Sequence, residues 1–240
     1  MRTILITGAS SDIGLAISKK FINDSNNLIL CYYENKDVLT NLKKEYPNSN
    51  IDIYKLDLTD EDNIKTIVND VTLKYNNIDI LINNAAFTLD CDILDKNKVN
   101  FMKTLEINVV GTFLISKYIG NIMYDNKAGK IINIASTNGI DTGYPESIDY
   151  DASKASIINL TYNLARAYSP YVNVNCVCPG WVDTKINKDL DVNFKNKELD
   201  KILLNRFARP DEIANVVCFL ASDEASYINS TIIRVDGGRM

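Results

Sequence analysis

The chain has 240 residues, 46% apolar and 24% charged, with a formal net charge of −5. That length and balance fit one large domain with a two-sided core. No run of five or more like charges occurs, and no apolar run is long enough to span a bilayer, so neither nucleic acid nor a membrane is expected as partner. Histidine is absent, which removes Ser-His-Asp and Cys-His nucleophile machinery and the commonest zinc sites. No metal site is expected, and acid–base chemistry falls to Tyr, Lys, Asp or Glu. Five cysteines, an odd count with no CxxC pair, read as buried thiols of a reducing compartment. Met1-Arg2 runs straight into a strand-like segment without a leader pattern, so a cytoplasmic location is expected.

Short apolar runs alternate with amphipathic stretches, the pattern of repeated βαβ units. Residues 3–7 read as a first strand, and 13–23 as a helix with Ile13, Ala16, Ile17 and Phe21 on one face. A strand at 28–33, a helix at 37–46 and a strand at 51–56 follow. Thr59 then caps a helix reaching about residue 75, with acids in its first turn. Strand 80–82, one long helix at 99–123, strand 130–135, a helix at 150–168 and strand 172–178 continue the alternation. A helix at 211–221 and a strand at 231–235 close it. The expected architecture is a single doubly wound α/β domain over 1–240, with a parallel sheet of about seven strands and helices on both faces.

In such folds ligands lie beyond the carboxyl ends of the strands. After the first strand, Thr7-Gly8-Ala9-Ser10-Ser11-Asp12-Ile13-Gly14 is a glycine-bearing turn opening a helix. Small residues there let the backbone approach a phosphate, which the helix N-terminus holds. Asp57-Leu58 after the third strand offers an acceptor for an adenine amino group, or a helix cap. Asn83-Asn84-Ala85-Ala86 after the fourth offers a turn or a shelf for a ribose. Ser136 follows the fifth strand, and Cys178-Pro179-Gly180-Trp181-Val182-Asp183-Thr184 turns sharply after the sixth. Tyr150 and Lys154, four apart on a helix, share one face. An ammonium beside a phenol favours the phenolate, which would bring the Tyr150 pKa down toward a useful range.

Together these motifs resemble the short-chain dehydrogenase/reductase family over essentially the whole length. The resemblance rests on the turn from Thr7 to Gly14, Asp57, Asn83–Ala85 and Asn108-Val109 with Gly111. It continues through Ser136, Tyr150 with Lys154, Pro179-Gly180 with Thr184, and Val235-Asp236-Gly237-Gly238. It implies a Rossmann-type domain with sheet order 3-2-1-4-5-6-7 and a variable substrate lid at 185–206. The implied activity is ketone–alcohol interconversion by hydride transfer with a nicotinamide cofactor. Tyr150 would be the acid/base. Lys154 would lower its pKa and bind the ribose, Ser136 would hold the substrate oxygen, and Asn108 would complete a proton relay to Lys154. The implied cofactor contacts are Gly8, Ser10, Ser11, Asp12, Ile13, Gly14, Tyr32, Asp57, Leu58, Asn84, Ala85, Ala86, Pro179, Gly180, Val182 and Thr184, with Tyr150 and Lys154. Asn138, Tyr144, Trp181 and Ile186 are candidate substrate-pocket residues.

Asp12 stands where the family has its second glycine, and is expected to cap the helix rather than to block a pyrophosphate. Asn229-Ser230 replaces a glycine near the C-terminus, with no consequence expected for the chemistry. No acid stands at Tyr32, which favours NADP(H) over NAD(H), although no Arg precedes Asp12. The substrate is a small carbonyl or alcohol compound. A 3-oxoacyl thioester on an acyl carrier protein fits the nearest resemblance, with sugar, polyol or hydroxysteroid dehydrogenation as alternatives. An acidic carrier wants a basic landing patch; 169–171 supply none, while Lys127 and Lys130 lie near the same edge. The family implies a homotetramer or homodimer. A non-catalytic dinucleotide-binding sensor is the rival from another class, favoured by Asp12 alone.

Overall fold

A computed structural model describes residues 1–240 apart from Asp24 and Asp189; the latter lies inside the expected lid. β1 (Arg2–Ile6) leads into α1 (Asp12–Phe21), β2 (Asn26–Tyr32) into α2 (Lys36–Glu45), and β3 (Asn50–Lys55) into α3 (Glu61–Tyr75). β4 (Ile80–Asn83) is followed by α4 (Lys98–Leu105), which passes through a π-helical stretch, Glu106–Gly111, into α5 (Thr112–Asp125). β5 (Gly129–Ile134), α6 (Ile148–Ala167), β6 (Val172–Pro179), α7 (Val192–Leu199), α8 (Pro210–Ala221) and β7 (Ile232–Val235) complete the chain. All seven strands form one parallel sheet in the order β3-β2-β1-β4-β5-β6-β7.

Strand residues alternate between two cores, as the period of two requires. Ile4, Ile6, Leu28, Leu30, Ile80 and Ile82 face α1, α2 and α8, packing on Ile17, Leu39, Ile213 and Val217. Leu5, Ile29, Leu81 and Ile131 face the other way, onto Ile64 and Val68 of α3, Ile115 and Ile119 of α5, and Leu164 of α6. Burial on both faces explains the nearly unbroken apolar runs of the strands.

Several local expectations are corrected. The long helix at 99–123 is broken at its centre, because the π stretch rotates Asn108 inward, where it is 1% exposed. Asp60, not Thr59, caps α3, its carboxylate accepting from the Asp62 and Asn63 N–H groups. Ser11, not Asp12, caps α1 through a bond from the Gly14 N–H. A serine oxygen one residue before the first helical turn reaches that N–H, whereas Asp12 is already helical. Ser230 adopts φ +58°, the left-handed backbone that suits the glycine it replaces, so the replacement carries local strain and bears on the turn, not on the expectation about chemistry.

The turn after β5 is pressed onto α6 at one residue. A Cβ on Gly139 would lie 2.5 Å from the Lys154 carbonyl carbon and 2.6 Å from the Ala155 nitrogen. Backbone cannot step aside as a side chain can, so Gly139→Ala should lower the unfolding free energy by about 2 kcal/mol. Urea unfolding measures it; an unchanged midpoint would show slack between turn and helix.

Candidate functional site

The carboxyl ends of the strands open into one cleft of about 2030 Å³, larger than the few hundred to a thousand Å³ of a site for one small molecule. Every predicted site residue borders it except Gly14 and Asn108. Gly14 stands behind the glycine turn, where a Cβ would meet the Gly8 carbonyl oxygen at 2.3 Å. Its contribution is close packing of helix on turn.

At one end the turn carries Gly8 at φ +61°, with space for a Cβ closed by Ala85 Cα at 2.7 Å. Asn84 braces this turn. Its side-chain nitrogen donates to the carbonyls of Thr7 (3.1 Å) and Gly8 (2.9 Å), and Thr7 Oγ1 accepts from the Asn84 and Ala85 N–H groups. Asn83, by contrast, is buried in β4 and bonds Ser116 and Asn133, away from the cleft. The Asp12 and Ile13 N–H groups lie in the first helical turn and have no intrahelical acceptor, so the turn can hold an anion. The Asp12 carboxylate is drawn aside. Its Oδ2 accepts from the Lys185 N–H at 2.7 Å, and Oδ1 lies 3.9 Å from the Lys185 ammonium. A dinucleotide's phosphates therefore fit here with the local negative charge turned to the lid. Tyr32 and Tyr33 border the cleft at the end of β2, beside Asp57, whose Oδ1 accepts from the Thr59 N–H and hydroxyl.

At the other end α6 presents Tyr150 and Lys154 toward Ser136. Lys154 is 3% exposed; its ammonium donates to the Ile134 carbonyl at 2.8 Å and lies 5.3 Å from the centre of the Tyr150 ring. Burial pulls its pKa down to about 8, opposed by the Cys176 and Cys178 thiols beneath it. Burial also pushes the Tyr150 phenol up to about 12, with the Ser136 hydroxyl acting in the opposite direction. The net shift of Tyr150 is therefore upward, against the expected lowering, because burial of the phenol is the largest influence on it. Ser136 Oγ accepts from the Asn138 N–H (3.2 Å), and Asn138 Nδ2 donates to Asp151 (2.7 Å).

The Asn108 side chain is fully used elsewhere. Its Oδ1 accepts from the Phe87 N–H at 2.7 Å, and its Nδ2 donates to the Phe87 carbonyl and Ser153 Oγ, both at 2.9 Å. It clamps the loop after β4 onto α6 and makes no side-chain link to Lys154. A buried ion pair strengthens the clamp: Asp149, 0% exposed, accepts from Lys96 at 2.9 Å and from Thr104 at 2.6 Å. Burial alone would raise the Asp149 carboxyl, yet these partners hold it below the usual range.

The lid carries α7, with Trp181, Tyr144 and Phe194 meeting at ring separations of 5.7–6.0 Å. Against them lies Glu198, a residue that no sequence motif marks. Ile186, expected in the pocket wall, is 81% exposed at the rim.

A family model described as enoyl-(acyl carrier protein) reductase matches residues 8–239. The 3-oxoacyl-[acyl-carrier-protein] reductase FabG of Thermotoga maritima is 35% identical over 240 residues, 99% of this chain and 97% of that protein. Its namesake from Aquifex aeolicus is 33% identical over 238 residues, 98% and 95% of the two chains. Among solved structures, ElxO with NADP bound superposes with a TM-score of 0.90 at 27% identity, covering 99% and 98%. Levodione reductase gives 0.91 at 27% identity, covering 99% and 96%. With that sheet order and these full-length matches, the chain belongs to the short-chain dehydrogenase/reductase family and is an NAD(P)-dependent oxidoreductase.

Proposed function

We propose that this chain uses NADPH to reduce a ketone to a secondary alcohol, with Tyr150 as the acid, and that the ketone is the 3-oxo group of a thioester on an acyl carrier protein. The observation that carries the reading is the meeting of Ser136, Tyr150 and Lys154 at one end of a cleft whose other end is the glycine turn. When bound, the nicotinamide supplies the hydride. Every proton movement belongs to the chain. A phenol raised to about 12 is protonated at neutral pH, the form that reduction consumes. Its proton passes from Oη to the carbonyl oxygen, which Ser136 Oγ holds as charge develops. Lys154 lies close enough to stabilise the resulting phenolate, and with a pKa near 8 it can help restore the proton. The Asn108 clamp on Phe87 and Ser153 keeps α6 in register with the loop that covers it.

The preference for NADPH is supported by the bound cofactor of ElxO and by Tyr32 at the end of β2, where no carboxylate stands; Glu34, two residues further on, also borders the cleft. The carrier reading is supported by the names of the relatives and by exposed Lys98 and Lys103 at the cleft rim. Lys130 does not serve that purpose: its ammonium is buried and burial lowers its pKa. Exposed Val110, Phe113 and Tyr162 on α5, α6 and the π stretch between α4 and α5 suit self-association as a homotetramer. The free, mostly buried cysteines suit a cytoplasmic location.

Tyr150→Phe should lower ketone reduction about a thousandfold, within the range for general acid catalysis, while NADPH still quenches Trp181. Substantial turnover in that variant would remove Tyr150 from its role. In fluorescence titrations NADPH should bind about tenfold more tightly than NADH, a difference of about 1.4 kcal/mol; equal affinities would refute the 2′-phosphate preference. The pH profile follows from Lys154. Below about 8 its ammonium is present and the phenol is protonated, so kcat/KM for reduction should be level. Above about 8 the ammonium is lost and the rate should fall, well before Tyr150 itself titrates. A profile level to pH 10 would exclude Lys154 as the controlling group.

A further inference from the structure

The aromatic wall of the cleft has its side-chain polar atoms committed to a carboxylate outside the cleft lining. Tyr144 and Trp181 border the cleft, and the polar atoms of both side chains are bound to that one carboxylate. Glu198 Oε2 accepts from the Tyr144 hydroxyl at 2.6 Å, the Trp181 indole N–H at 3.0 Å and Arg239 Nη2 at 2.9 Å. Its Oε1 accepts from Lys201 at 2.5 Å. Glu198 is 2% exposed. Burial alone would raise its carboxyl, but these four donors hold it down at about 2, so the charge persists at every working pH. Arg239 is anchored in turn by Thr142 Oγ1 at 2.8 Å and by the Tyr144 hydroxyl at 3.0 Å. Phe194 closes the box from α7.

The polar side chains of the neighbouring loop are turned inward in the same manner. Asp151 collects Asn138 Nδ2, Ser147 Oγ and the Tyr144 N–H. Among the described residues, the Tyr144, Trp181 and Phe194 rings thus offer no free side-chain hydrogen-bonding atom to what lies against them, while Thr88, Asp90 and Glu146 border the cleft elsewhere.

We propose that Glu198 and Arg239 are positioning residues for substrate selection, holding Tyr144 and Trp181 as an apolar wall that accepts ketones bearing an apolar substituent and rejects polyhydroxylated ones. This rests on the reduction proposed above and narrows its substrate class. A sugar or polyol would lose water from its hydroxyls against Trp181 and Phe194 and gain no bond in exchange. A pocket that merely lacks a partner discriminates against an added hydroxyl by about a hundredfold.

The test compares kcat/KM for ethyl acetoacetate and dihydroxyacetone with NADPH, together with the emission of Trp181, the chain's one tryptophan. The wild type should favour ethyl acetoacetate about a hundredfold. Glu198→Gln should cut that ratio about tenfold, as expected for hydrogen bonds to a charged acceptor. The loss should appear in KM for the apolar probe more than in kcat, with Trp181 emission shifted to the red and more open to acrylamide. Because Glu198→Gln strands the Arg239 charge, the double variant Glu198→Gln, Arg239→Gln, which leaves neither charge unpaired, is measured beside it and should show the same loss. Equal kcat/KM for both probes in the wild type would overturn the proposal, as would an unchanged ratio in a folded variant. If NADPH binds but neither probe turns over, the reduction reading fails. The wall is then judged on binding: ethyl acetoacetate should quench Trp181 and dihydroxyacetone should not, with the difference lost in the variants. Quenching by both or by neither would overturn it.

Discussion

The reactive end of the cleft depends on one buried cation. Lys154 is almost wholly withdrawn from water, and the fold gives its ammonium the carbonyl of Ile134 at the end of β5. A buried charge without a hydrogen-bonded partner is expensive, so this bond fixes how α6 lies over the strand end, and with it Tyr150 against Ser136. Two thiols complete the surroundings. Cys176 and Cys178 are two apart on β6, point to the same face, and bring their sulfurs within 3.9 Å beneath α6. They favour the ammonium while burial disfavours it, and the balance leaves a lysine that changes charge within the range of ordinary assays.

The same helix is positioned by polar contacts as well as apolar ones. Asn83 and Asn133 are neighbours in register on β4 and β5. Asn83 reaches Ser116 on α5, and Asn133 reaches Thr161 on α6, in bonds of 2.8–2.9 Å. Apolar side chains tolerate sliding, whereas a buried amide row is satisfied in few arrangements. Asn108 with Ser153 and Asp149 with Lys96 repeat the device nearer the cleft. α6 is thereby held along much of its length, in addition to the packing of Ile157 and Leu164.

The fold and the reacting groups were legible in the sequence because their signals are local. Strands buried on both faces read as apolar runs, the glycine turn stands between a strand and a helix, and Tyr150 and Lys154 are one helical turn apart. Element ends fell within a few residues for the same reason. What stayed hidden depends on residues far apart in the chain. Glu198 is one acid in a variable segment, and its meaning comes from Tyr144, Trp181 and Arg239, none of them near in sequence. The partners of the Asn108 side chain stayed hidden because a π turn rotates it toward Phe87. The sense of the Tyr150 shift is not legible in the spacing, which shows a nearby cation but not the burial that raises the phenol.

Asp12 shows how such a distant contact resolves a conflict that appears locally insoluble. A carboxylate in a phosphate-binding turn opposes the anion the turn is shaped to receive, and the helix cap that would have excused it belongs to Ser11. The resolution lies 173 residues away in the chain, where the Lys185 N–H takes one carboxylate oxygen and the Lys185 ammonium stands near the other. The exposed ion pair itself is weak. The backbone bond is the stronger element, being short and charge-assisted. Because residue 185 opens the lid segment, this contact ties the charge balance of the cofactor end to the start of the lid. A glycine at position 12 would relieve the turn of its charge, and would also leave the start of the lid without its partner.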